Sequence, residues 1–219
     1  MIKALLLIFE PTSTWGTILR ARRGVASVLV AFLLPLLAIT SACEAYGLIH
    51  WGKWQGPRLM HFGKWQSEVP YLKKFSVSEA VIVEAVQLLL SLAVVFGGAH
   101  LVKSIGETYR GLHTYTQAFT AVAYGLSPLF LLRVFDAFAG VHPALTWGIG
   151  IILSIAVLYQ GVPRMMEPDP AHAFGLYVTS ALLLTFITAM ARFVTAAYVG
   201  GKFPKLEAMV SDITTRLPF

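Results

Sequence analysis

The 219-residue sequence contains no asparagine and a single cysteine, Cys43. Without Asn there is no N-glycosylation acceptor, and a lone cysteine cannot close an internal disulfide. Charge is scarce as well. Only 13% of residues are Asp, Glu, Lys or Arg, against about 25% in an ordinary soluble domain. Catalytic signatures are missing: there is no His-Glu-x-x-His, no Gly-x-Ser-x-Gly, no phosphate-cradling glycine loop and no cysteine pair. The chain is therefore read as a non-enzyme with no cofactor and no metal. No Lys/Arg-rich run or RNA-binding signature occurs, so the net charge of +6 points to lipid headgroups and not to nucleic acid.

What the chain has in excess is apolar side chains, 57% of all residues, with a mean hydropathy of +0.70. They gather in five runs, at 24–49, 80–102, 115–138, 144–162 and 172–199. Each is close to or above the roughly 20 residues a helix needs to cross a hydrocarbon core. Continuous apolar runs exclude a β-barrel, whose strands alternate. The fold class expected is an all-α integral membrane protein, a bundle of five transmembrane helices. Pro35 and Pro128 fall inside the first and third runs, where neighbouring helices can re-satisfy the freed carbonyls.

Residues 1–23 precede the first run. The apolar stretch 4–9 stops at Glu10-Pro11 and is too short for a signal peptide. Beyond it Thr12 or Ser13 can cap a helix, and Trp15, Ile18, Leu19 and Arg22 share one side of it. Together with Arg20 and Arg23 this reads as a short interfacial N-terminal helix, or as an amphipathic lead-in to the first span. The arginines precede that span and no cation follows it until Lys53. That asymmetry predicts a cytoplasmic N-terminus and, after five spans, an outside C-terminus. The tail 200–219 carries Leu206, Met209, Val210, Ile213 and Leu217 at helical spacing and reads as a surface helix.

The loop 50–78 says nearly the same thing twice: His50-Trp51-Gly52-Lys53-Trp54-Gln55 returns as His61-Phe62-Gly63-Lys64-Trp65-Gln66. Two imidazoles alone make no stable metal site, which needs further ligands and a second shell. Aromatic rings suit headgroup depth, and lysines snorkel to phosphates from the same level. The expectation is a cap on the membrane surface. In it Trp51, Lys53, Trp54, Lys64 and Trp65 touch lipid or a partner, Gly56-Pro57 forms a turn, and the two arms pair as a hairpin.

Ionisable residues inside the spans are costly and usually paired or functional. Glu44, Glu84, Arg133, Asp136 and Arg192 qualify, and in a five-span bundle they fall at one depth. Three readings stay open for them: an ion network locking the bundle, a polar site for a lipid headgroup or small solute, or unpaired snorkelling to the interface.

The later spans carry a pattern. Ala123-Tyr124-Gly125-Leu126-Ser127-Pro128 lies in the third. Tyr159-Gln160-Gly161-Val162-Pro163-Arg164-Met165-Met166 ends the fourth, and Asp169-Pro170-Ala171-His172-Ala173-Phe174-Gly175 opens the fifth. In order and spacing this resembles the Yip domain family, five-span membrane proteins named for their interaction with Rab-type GTPases. Tyr124, Pro128, Tyr159, Gly161, Pro163 and Gly175 stand at its motif positions. The resemblance implies a cytoplasmic N-terminus and a five-helix domain over 24–199. Eukaryotic members carry a sizeable soluble region ahead of the first helix, where this chain has residues 1–23. GTPase binding is therefore not expected, and a bacterial inner-membrane member is. The expected role is that of a membrane organiser or accessory subunit. Its partners would be membrane lipids and another membrane protein or a second copy of itself. The alternative is a transporter or channel for a small solute or lipid, using the charged cluster.

Overall fold

The computed structural model describes residues 2–62, 65–109 and 114–203, with Met209 and Asp212, and only the backbone of 57–62 and 65–70. Two short helices, α1 (Ile2–Phe9) and α2 (Pro11–Ala21), come first. Five apolar helices long enough to cross a membrane follow: α3 (Val25–His50), α4 (Val77–Thr108), α5 (Tyr115–Ala137), α6 (Pro143–Met166) and α7 (Ala173–Val199). An antiparallel hairpin, β1 (Lys53–Phe62) and β2 (Trp65–Lys73), joins α3 to α4. The chain is thus an all-α membrane bundle with one β-hairpin at one end among the described residues.

Helix α5 is the centre. In its most apolar stretch 78% of residues are buried, against 28% in α4 and in α7. It packs on α3, α4 and α6, while α4 also packs on α3 and α7, and α6 on α7. The remaining side, between α3 and α6, is filled by α1 and α2, which lean on α5 and α6. The outer faces of α4 and α7 expose Val81, Leu89, Leu182, Phe186 and Phe193, as surfaces in contact with hydrocarbon should.

Local chemistry explains where these helices begin, bend and end. Ser76 and Glu79 form a reciprocal capping box that starts α4 at Val77, so this span begins three residues before the expected 80 and runs past 102. At about 1.5 Å per residue, its 32 residues exceed a core of about 30 Å. Pro35 has no N–H to give and its ring crowds the preceding turn. The expected kink is taken up one turn earlier, as a π-helical stretch at Leu29–Leu33. Around Pro128 the helix breaks into two pieces, and polar side chains stand in for lost backbone bonds. Ser127 Oγ donates to the Tyr124 carbonyl at 2.7 Å, and Leu129 N–H donates to Ser154 Oγ at 3.3 Å. The last turn of α5, Arg133–Ala137, tightens to a 3₁₀ helix.

Two expectations change here. The N-terminal helix does not lie with its apolar side in the headgroup layer. Trp15 is fully buried, and its indole N–H donates to the Val157 carbonyl at 3.2 Å. Ile18 of α2 and Ala4 and Leu7 of α1 are buried in the same core. Periodicity identifies an apolar face but not what covers it, and α6 covers this one. The hairpin also turns elsewhere than at Gly56-Pro57. Its ladder runs from Lys53↔Lys73 to Phe62↔Trp65, and Gly56 sits in a bulge between Gln55 and Pro57. A proline lacking its ladder donor is tolerated at such an irregularity on an edge strand. The second copy of the repeat therefore spans the end of β1 and the start of β2, and the two copies are not the two arms. In the tail, Met209 and Asp212 are helical; the remaining positions of the expected surface helix lie outside the described residues.

Candidate functional site

Glu44, Glu84, Arg133, Asp136 and Arg192 gather at the hairpin end. Glu44 lies six residues before the end of α3, Glu84 seven after the start of α4, and Arg192 seven before the end of α7. At about 1.5 Å per residue each sits roughly 10 Å inside its helix. Glu44, Glu84, Arg133 and Asp136 are buried, which removes the unpaired snorkelling reading for them.

They form two linked groups. Arg133 is the hub of the first. Its Nη2 contacts Glu44 Oε2 at 3.1 Å and Glu84 Oε2 at 3.2 Å, and its Nε donates to Glu44 Oε2 at 3.3 Å. Gln87 Nε2 donates to the same Glu44 oxygen at 2.6 Å, and Ser41 Oγ lies 3.5 Å from Arg133 Nη2. In the second group Arg192 Nη2 pairs with Asp136 Oδ2, while Thr146 Oγ1 donates to Asp136 Oδ1 at 2.7 Å. Helices α3, α4 and α5 are tied by the first group, and α5, α6 and α7 by the second. Arg133 and Asp136 share a turn of α5 yet face different partners.

Lys53 is the residue the sequence reading placed wrongly. It does not snorkel from the membrane surface. It is 4% exposed, and its Nζ donates to the carbonyls of Phe138 at 2.9 Å and Val141 at 3.3 Å. Burial pulls its ammonium below the ordinary lysine value of 10.5; Asp136 and Glu44 pull it back up, and Arg192 pushes it down. A signal for this was present. Three acids against two arginines left one negative charge unmatched, and Lys53 is the nearest cation along the chain. Ser41, Gln87 and Thr146 were also missed. Ser41 precedes Glu44 by three residues and Gln87 follows Glu84 by three, the spacing that puts polar groups on one helix face.

The rest of the loop straps the helix ends. Gln55 Nε2 donates to the Val199 carbonyl at 3.1 Å, Gly56 N–H to Gly200 at 3.2 Å, and Phe75 N–H to Leu48 at 3.2 Å. Gly52 turns the chain into β1 with φ +73°, and a Cβ there would lie 2.4 Å from the Lys73 carbonyl oxygen. Trp51 stacks on Phe138 with ring centres 5.2 Å apart, and Trp54 is exposed. Trp65 pairs through its backbone with Phe62. Its side chain, the side chain of His61 and all of Lys64 lie outside the described residues.

Beside the charges lies a cleft of about 50 Å³ between α4, α5, α6 and α7. Arg133, Arg192, Gln87, Thr146, Trp147 and Thr195 bring polar groups to it, and Leu90, Val94, Leu129 and Phe130 are apolar. Among the described residues no group of three or more His, Cys, Asp or Glu has the geometry of a metal site.

The motif residues of the later spans sit toward the other end and do structural work. Tyr124 is buried, stacks on Phe32 with centres 4.1 Å apart, and meets Trp15 edge-on at 6.3 Å. Gly161 makes room for that indole, since a Cβ there would lie 2.2 Å from Trp15 Cζ2. Pro128 sets the break in α5, and Pro163 falls in the last turn of α6. Tyr159 is exposed and meets Tyr177 edge-on, and Gly175 lets Tyr109 approach to 3.0 Å of where its Cβ would be.

Comparison with curated proteins and with solved structures gives no significant match. The model of the Yip1 domain, by contrast, matches residues 5–193, a stretch that runs from α1 into α7 and takes in the motif positions, Glu44, Glu84, Arg133, Asp136 and Arg192. Five apolar helices in this order, joined to a family match over most of the chain, make it a membrane protein of the Yip1 domain family.

Proposed function

We propose that the protein works without catalysis, as a membrane organiser or accessory subunit that binds a lipid or another membrane protein within the bilayer. The observation that carries this reading is the pairing of the buried charges. Glu44, Glu84 and Asp136 each contact an arginine, and together these pairs link α3, α4, α5 and α7 at one end. A carrier must expose such groups to each side in turn, and many carriers are built from repeated halves. Here the charges hold one end closed beneath a strapping hairpin. A charge held in an ion pair is also poorly placed to shuttle protons or to attack a substrate. The Arg20, Arg22 and Arg23 cluster ahead of α3 favours a cytoplasmic N-terminus in a bacterial inner membrane, with the hairpin outside.

Mass spectrometry of the protein purified in mild detergent tests the reading. A lipid or membrane protein retained in fixed ratio is the expected result. Retention of neither, together with solute flux in proteoliposomes, would replace it with the carrier reading.

A further inference from the structure

We infer that the cleft between α4, α5, α6 and α7 is a binding site for a phospholipid with an anionic headgroup, an assignment that rests on the binding role proposed above. The first observation is a set of orphaned polar atoms. Arg133 Nη1 and Trp147 Nε1 are buried donors without a hydrogen-bond partner, and both residues line the cleft. Gln87 Oε1, an acceptor on the same wall, is also without one. A buried unsatisfied polar group costs about 1–3 kcal/mol, and Arg133 itself is 7% exposed. Its Nε and Nη2 are engaged with Glu44 and Glu84, which leaves Nη1 and its two N–H groups for a ligand. Arg192 adds a second guanidinium on the cleft wall. Two guanidinium groups and an indole N–H suit the acceptor oxygens of a phosphate or carboxylate, and Gln87 Oε1 suits a ligand hydroxyl.

The second observation is the placement of charge along the cleft. Counted at about 1.5 Å per residue from the hairpin end, Thr146 and Thr195 lie about 5 Å in, Arg192 about 10 Å and Val94 about 25 Å. The two guanidinium groups therefore stand toward the hairpin end, and Gln87, Leu90, Ser91, Val94 and Thr188, all uncharged, lie about 15–25 Å in. The floor is set where α4 and α7 come together. At Gly98 a Cβ would lie 2.8 Å from Leu184 Cδ2 and 3.2 Å from Ile187 Cδ1, so the glycine lets the two helices approach closely. Every cleft residue of α4 and α7 is on the hairpin side of that point. A charged top over an uncharged wall, between helices whose outer faces meet hydrocarbon, suits a lipid whose headgroup oxygens meet the arginines and whose acyl chains run outside along α4 and α7.

The test uses the full-length protein in detergent and in nanodiscs, with phosphatidylglycerol, phosphatidylcholine, palmitate or inorganic phosphate as probe. Native mass spectrometry and thermal unfolding are the readouts. Phosphatidylglycerol should stay bound and raise the unfolding temperature, and phosphatidylcholine should do so much less. Ala191→Phe fills the cleft without touching a polar group and should abolish both effects. Trp147→Phe removes one N–H while keeping a ring, and should weaken retention about fivefold, the equivalent of one hydrogen bond. If Ala191→Phe does not fold, Val94→Phe takes its place. Equal retention of phosphatidylglycerol by wild type and cleft-filled variant would overturn the assignment. So would equal stabilisation by inorganic phosphate, which would mean a small-anion site, or by palmitate or phosphatidylcholine, which would mean no selection for an anionic phospholipid. A wild type that ignores every lipid yet retains another membrane protein in fixed ratio would sink this assignment and leave the binding role standing.

Discussion

Lys53 carries the strongest lesson at the scale of single residues. In sequence it alternates with tryptophans, the pattern of a side chain reaching for phosphates. In the fold it turns inward and donates to the Phe138 and Val141 carbonyls, beside the acids of α3 and α5. The five charges of the spans were legible because any ionisable group in an apolar run must be accounted for. Their division into an Arg133 group and an Arg192 group was not, because it depends on how the spans are rotated about their axes. Lys53 also makes a pH prediction. Its folded pKa is lowered, so in the window below 10.5 the unfolded chain binds more protons than the folded one. Stability contributed by this site therefore rises with pH through that window. Lys53→Met should flatten the rise, read as unfolding temperature against pH for the two proteins. Parallel curves would show that the ammonium does not feel the burial described.

At the scale of elements, all five spans were legible from hydropathy, with ends displaced by caps. The start of α4 moved to Val77 because Ser76 and Glu79 cap it. What hydropathy could not supply was the cover of α2. A face bearing Trp15, Ile18 and Leu19 satisfies a lipid surface and a groove on α6 equally well. Gly161 decides it, by leaving a gap the size of an indole. Gly161→Ala should therefore push Trp15 out at a cost of about 1–3 kcal/mol, the range for overpacking a filled core. The unfolding temperature should fall, and hydrogen exchange should speed up in residues 2–21 while the hairpin stays protected. An unchanged exchange pattern would place α2 on the lipid after all. The hairpin was legible as two pairing arms between the first two spans, but its register was not. Gly56-Pro57 carries the stronger turn signal, and the strand register overrides it by absorbing Gly56 in a bulge.

At the scale of the molecule, a central α5 is wrapped by four other spans and the N-terminal helices, and its two ends differ in chemistry. Motif residues Tyr124 and Gly161 converge on Trp15 in a dry aromatic core. The hairpin end is held by ions, with a cleft beside them. The family match extends over both ends, and the resemblance visible in sequence rested on the motifs, their order and spacing, and the five-span frame. The central claim is that the ions at the hairpin end act as coupled pairs across helices and not as isolated charges. A double-mutant cycle on Arg192 and Asp136, measured by unfolding in detergent, tests it most directly. Arg192→Leu should destabilise by about 3–5 kcal/mol, because it leaves the buried Asp136 without its partner, and Asp136→Leu by less, because Arg192 is only part-buried. The double variant should lose less than the sum of the two. Strict additivity of the two losses would contradict the coupling.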